Sequence, residues 1–260
     1  MKRKRIIIII LFCILLCLGI SRLAQAALFI DDTYTTDKGH IWLEFCLDYY
    51  RDVEKEFHAG IGENIKTASK EWDTGVYLSY GLANNWDVGI TLPYQFLDDS
   101  EGKVNGLSDL IIESKYRFWQ ESKILPSYAF YLDLKTDSAN EDKRLGTGKK
   151  DYTINNIFTK NIGSNVFDLN LGYIFVGGEP DDIFFYSFDI ARNLTERMNL
   201  CAEIYGESDF KGSFEENIFV TALSLGYQIN EIVSFESGVG IGISQASPDY
   251  QISSAVAFSF

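Results

Sequence analysis

The feature that most constrains this chain is its final stretch, Tyr250-Gln251-Ile252-Ser253-Ser254-Ala255-Val256-Ala257-Phe258-Ser259-Phe260. Apolar and small polar residues alternate there for eleven positions, ending on an aromatic. A period of two is the signature of a strand with two unlike faces. A strand of this kind, closing a chain that opens with an export signal, reads as the last strand of a transmembrane antiparallel β-barrel of a Gram-negative outer membrane. Phe260 is then the expected assembly signal, where the barrel-assembly machinery engages.

The export signal lies at the other end. Met1-Lys2-Arg3-Lys4-Arg5 is a basic opening, Ile6 to Ile20 is continuously apolar, and Ala24-Gln25-Ala26 supplies a small-x-small cleavage site. Fifteen apolar residues fall short of the roughly twenty that a helical span needs. Cys13 and Cys17 lack the preceding small residues of a lipoprotein signal. The expected organisation is a signal peptide over 1–26, an N-terminal periplasmic segment over 27–39 and a barrel over 40–260.

Cleavage after Ala26 leaves 18 basic against 37 acidic residues. Nucleic acid is excluded as a partner, because neutralising phosphates needs a basic surface. Cys46 and Cys201 are far apart and form no disulfide framework. No apolar run after residue 26 reaches helical span length, so insertion among outer-membrane lipids has to be by strands.

Alternation predicts twelve strands: Ile41–Tyr49, Trp72–Leu82, Trp86–Phe96, Leu107–Phe118, Ser127–Lys135, Asp151–Thr159, Val166–Phe175, Ile183–Ala191, Met198–Glu207, Ile218–Tyr227, Val233–Ile243 and Tyr250–Phe260. They are about the length a tilted strand needs to cross a bilayer, longer than the usual strand of a soluble sandwich. Short connections such as Ala83-Asn84-Asn85, a turn of residues that tolerate positive φ, alternate with longer loops. That alternation, with an even strand count, puts both termini in the periplasm. Aromatics fall at both strand ends, as two interfacial girdles require.

Catalysis finds little support. His40 and His58 are expected at opposite ends of the barrel, without a nucleophile or orienting carboxylate in reach. No spacing of His, Cys or carboxylates suggests a metal, and no cofactor is expected. Gly238-Val239-Gly240-Ile241-Gly242 lacks the helix of a dinucleotide fingerprint. Its glycines read as making room on a strand face, and Leu145-Gly146-Thr147-Gly148 reads as an extracellular loop tip.

The lumen remains. Alternation faces Glu44, Asp48, Glu71, Asp73, Asp87, Asp109, Glu113, Asp133, Asp151, Asp168, Asp189, Glu203, Glu207 and Glu236 inward, against only Lys115, Arg117 and Lys135. Symmetric hairpins would set Asp109 opposite Lys135, Lys135 opposite Asp151 and Asp87 opposite Arg117, with Lys135 the only base near mid-lumen. Opposed unlike charges stabilise a strand pair, and the remaining acid is in excess.

The segment Gly106-Leu107-Ser108-Asp109-Leu110-Ile111-Ile112-Glu113-Ser114-Lys115-Tyr116-Arg117-Phe118, followed by Leu134-Lys135-Thr136-Asp137, then Leu145-Gly146-Thr147-Gly148 and Asp151-Tyr152, resembles the outer-membrane transporter-like family labelled "MetA-pathway of phenol degradation". The chain departs from that pattern at Thr136-Asp137-Ser138, where the family has Pro-Thr-Gly. The resemblance implies an outer-membrane protein that passes small, often aromatic or apolar compounds. The leading expectation is therefore a twelve-stranded barrel acting as a passive, porin-like channel. A plugged structural or surface-interaction barrel is the alternative, and a membrane-embedded hydrolase is the weaker third.

Overall fold

The computed structural model describes residues 30–51, 68–99, 102–178, 181–214 and 216–260. The expected signal peptide and His58 lie outside them. Thirteen strand segments follow one another: β1 Ile41–Arg51, β2 Ala68–Ala83, β3 Trp86–Asp99, β4 Gly102–Leu107, β5 Ile111–Trp119, β6 Ser127–Lys135, β7 Asp151–Ile162, β8 Asn165–Phe175, β9 Ile183–Asn193, β10 Met198–Ser208, β11 Ile218–Gln228, β12 Val233–Gly242 and β13 Tyr250–Ser259. Neighbours in sequence pair antiparallel except β4 and β5, which both pair with β3, and β1 pairs with both β2 and β13, so the sheet closes on itself. Ile41 and Phe260 exchange backbone hydrogen bonds of 3.0 and 2.9 Å at the seam. Closure removes the unpaired edges that an open sheet would expose to lipid.

The barrel has twelve staves because β4 and β5 together make one. Both pair with β3, β4 along Tyr94–Asp99 and β5 along Trp86–Thr91. The single strand expected over Leu107–Phe118 is thus broken at Ser108-Asp109-Leu110. Pro93 explains the break. Its carbonyl accepts from Ser108 N at 3.0 Å, so that edge of Pro93 faces the β4–β5 stave. Proline has no N–H to return, and the opposite strand bulges where a ladder bond is missing.

The outer face is apolar and exposed, as at Phe45, Leu47, Leu78, Leu92, Ile112 and Val239, whereas buried polar residues outnumber buried apolar ones by 25 to 14 among the described residues. A soluble domain shows the reverse; this is the inside-out pattern of an outer-membrane barrel. Ring contacts gather at both ends: Trp86–Tyr116, Tyr116–Phe118 and Tyr128–Phe158 at the short-turn rim, Tyr49–Trp72 and Tyr173–Phe175 at the long-loop rim. Phe260 stacks on Phe258 with its own ring exposed.

Two turns show how the short rim is made. Gly163, between β7 and β8, takes φ +63, which a Gly-first hairpin turn requires. At Asn84-Asn85 neither asparagine adopts the expected positive φ. A register shift between Gly81 and Ala83 accommodates that connection instead.

Candidate functional site

The residues just before β1 decide the shape of the lumen. The expectation of a periplasmic segment over 27–39 is corrected for its described part: residues 30–39 lie along the inner wall at the short-turn end. Asp31 N donates to Asn170 Oδ1 at 3.3 Å, and Asn170 Nδ2 returns a 2.8 Å bond to the Asp31 carbonyl. Thr33, 1 % exposed, donates its N–H to Thr159 Oγ1 at 2.9 Å. Thr36 donates to Asp87 Oδ2 at 2.7 Å and shares a 2.8 Å hydroxyl contact with Ser79. Lys38 bridges Gly81, where a Cβ would stand 2.0 Å from the Asp37 carbonyl. Only glycine permits that approach. The physical cause is charge: the short run Asp31-Asp32 meets the two bases that the wall offers on β5. Lys115 Nζ lies 3.4 Å from both Asp31 Oδ1 and the Asp32 carbonyl. Arg117 donates to the Thr33 carbonyl at 3.4 Å and the Asn84 carbonyl at 2.7 Å. Burial pushes the Asp32 carboxyl above the ordinary carboxylate range, against the pull of Lys115.

The strand register corrects three readings. Asp87 faces Lys115, not Arg117. Ile111, not Asp109, is the cross-strand partner of Lys135. Asp109 reaches the ammonium at 3.3 Å from the break between β4 and β5, and Asp151, which is in register, lies at 2.9 Å. Lys135 also ends β6 at the long-loop rim, so the base deeper in the wall is Lys115. Symmetric hairpin counting sees neither the one-residue offset between the β3–β4 and β3–β5 registers nor the irregularity at Arg117/Trp119 in the β5–β6 pairing.

The expected loop tip at Gly146-Thr147-Gly148 folds inward over this cluster. Lys135 donates to Thr147 Oγ1 at 2.9 Å, Leu145 is buried against Gly106, and a Cβ at Gly146 would stand 2.5 Å from Asp109 Oδ2. Arg144 pairs with Asp99 at the end of β3, tying the loop down.

The remaining predicted wall residues fall into bands. Asp48 and Asp73 are direct register partners, and Gln95 follows on β3. Glu113 lies opposite Asp133 and accepts from the Tyr131 hydroxyl at 2.7 Å. Asp168, Asp189 and Glu203 sit in register on β8, β9 and β10, all buried, accepting from Thr159, Cys201 and Ser224 respectively. Glu71 accepts from Gln95. Glu44 takes the Trp42 indole N–H at 3.1 Å and, with Glu236 and Arg197, lines a cavity of about 140 Å³ at the short-turn end. Gly240 makes room for Gln251, whose Cγ would be 2.7 Å from a Cβ there.

A larger cavity of about 290 Å³ runs from Asp31 toward the long-loop rim, past Tyr131, Asp133, Phe185, Tyr205 and Glu207. Sequence reasoning missed Asp31 and the three rings. The first lay in a segment placed outside the barrel, and the rings carry no charge, the one property by which wall residues were singled out. Among the described residues no group of His, Cys and carboxylates is arranged to hold a metal.

This geometry has relatives. The "COG4313 outer membrane channel from Pseudomonas putida F1" is similar at TM-score 0.68 and 12 % identity, covering 90 % of this chain and 100 % of that one. The KdgM porin is similar at TM-score 0.56 and 12 % identity over 84 % and 99 % of the two chains. The NanC porin gives 0.53 and 10 % over 83 % and 98 %. At such identities the likeness is one of fold. No curated protein matches the chain in sequence. The family described as "MetA-pathway of phenol degradation" matches residues 35–260, and the chain belongs to that family.

Proposed function

We propose that the protein is an outer-membrane channel through which small solutes pass passively, cations and neutral molecules in preference to anions. The observation that carries this reading is the acidic wall of a closed barrel whose two cavities open along its interior. Fixed charge in a narrow tube concentrates counter-ions and repels co-ions. The similar structures support passage as the activity, one being titled a channel and two being porins. The KdgM porin has been solved with an oligogalacturonate, a polyanion. An acidic wall is a poor path for such a cargo, so a different solute class is indicated here.

The activity in this reading is passage rather than turnover: His40 stands exposed at the short-turn rim and is not among the residues lining either cavity. The N-terminal segment favours a second reading, a barrel stoppered by its own chain. Liposome swelling separates the two. Proteoliposomes should swell in isotonic solutions of small neutral solutes such as glycerol and progressively less as the solute grows. Absence of swelling with every solute would favour the stoppered barrel.

A further inference from the structure

The larger cavity carries an inference that rests on the passage reading and adds a solute class to it. Three rings meet there: Tyr131 on β6, Phe185 on β9 and Tyr205 on β10. The position of Phe185 is built in, since a Cβ at Gly172, its register partner on β8, would stand 2.0 Å from the ring. On the other side the register partner of Phe185 is Glu207.

Glu207 is 4 % exposed and lines the same cavity. One of its oxygens accepts from the Tyr205 hydroxyl, and the other, Oε2, is buried without a hydrogen-bond partner. Buried polar atoms are nearly always satisfied, so this oxygen calls for a donor, from water, an ion or a ligand, and of the unpartnered carboxylate oxygens it is the one that lines this cavity. The ammonium groups nearby are already engaged. Lys135 is held by Asp109 and Asp151, and Lys115 by Asp31. Asp133 adds a second carboxylate to the lining of the same cavity.

We infer that this cavity binds a single-ring organic cation, its ammonium on Glu207 and its ring against Phe185 and Tyr205. The partnerless oxygen needs a donor, and an ammonium supplies one together with the opposite charge. The rings supply apolar contact and attract a cation placed over their faces. A volume of about 290 Å³ lies at the small end of ligand sites, which run to about 300–1,000 Å³, so one ring fits.

The test is titration calorimetry of the purified chain in detergent micelles, with empty micelles as blank. The probes are phenethylammonium, neutral 2-phenylethanol and anionic phenylacetate. Phenethylammonium should bind saturably and phenylacetate should not. Glu207→Gln should weaken the cation about tenfold or more, the worth of a hydrogen bond to a charged group, and leave 2-phenylethanol nearly unchanged. Phe185→Leu should weaken both ring ligands. Equal cation affinity in wild type and Glu207→Gln would overturn the assignment. Should Glu207→Gln fail to assemble, the wild-type comparison decides: phenylacetate binding as tightly as the amine, or no saturable binding, overturns it. Binding in micelles needs no conduction, so swelling without binding refutes this inference alone, and binding without swelling refutes only the passage reading.

Discussion

Deleting residues 30–38 should raise single-channel conductance severalfold while leaving an assembled barrel. The segment occupies lumen cross-section at the short-turn end, held by Lys115, Arg117, Asp87, Thr159 and Asn170 on four staves. The ladder itself closes without it, between β1 and β13, and heat-modifiable gel mobility would report that closure. Gly81→Val should act in the same direction, because its side chain would displace the Asp37 carbonyl, 2.0 Å from the Cβ position. Lys115→Met should reproduce part of the effect by releasing Asp31. Conductance unchanged in all three variants would mean that another element sets the constriction.

Lys135→Ala should lower the temperature at which the barrel loses its heat-modifiable mobility. The side chain is 9 % exposed between carboxylates at 2 % and 8 %. Removing one partner of a buried pair costs about 3–5 kcal/mol, and water in the lumen reduces that figure. The loss also frees Thr147, so the inward-folded loop should loosen. Replacing Asp151 by Asn in the same background should recover part of the loss, since the two acids no longer repel across the vacated site. That recovery is a coupling between neighbours, which a double-mutant cycle measures. An unchanged transition temperature in Lys135→Ala would show that the cluster contributes nothing to closure.

The staves were legible because each face of each strand meets a different solvent. Lipid outside and polar lumen inside write a period of two into Tyr250–Ser259 and Trp86–Asp99 alike. What alternation cannot report is where a strand stops obeying it. The break at Ser108-Asp109-Leu110 follows from one missing N–H on Pro93, a feature of the neighbouring strand. That break took Asp109 out of the ladder, from where it reaches Lys135, and Asp87 faces Lys115 rather than Arg117. Alternation places Glu207 inward but is silent on its partners; the orphaned oxygen appears only once Tyr205 and Phe185 are set beside it. The N-terminal segment left a fainter trace. Asp31-Asp32 is a short acidic run in an acidic chain, and its attraction to Lys115 is visible only after the barrel brings residues more than 80 apart together. The inward fold of Gly146-Thr147-Gly148 was hidden for the same reason: its contacts lie on Lys135 and Gly106.

The central claim is that solute moves through an acidic lumen, and a reversal potential tests it most directly. Protein in a planar bilayer is placed under a KCl gradient, with the dilute side near 0.01 M, where the Debye length is about 30 Å and screening is weakest. The account predicts a reversal potential of the sign that marks K⁺ as the more permeant ion, shrinking as both sides are raised toward 1 M. A potential of the opposite sign, marking Cl⁻ as the more permeant ion, would contradict it.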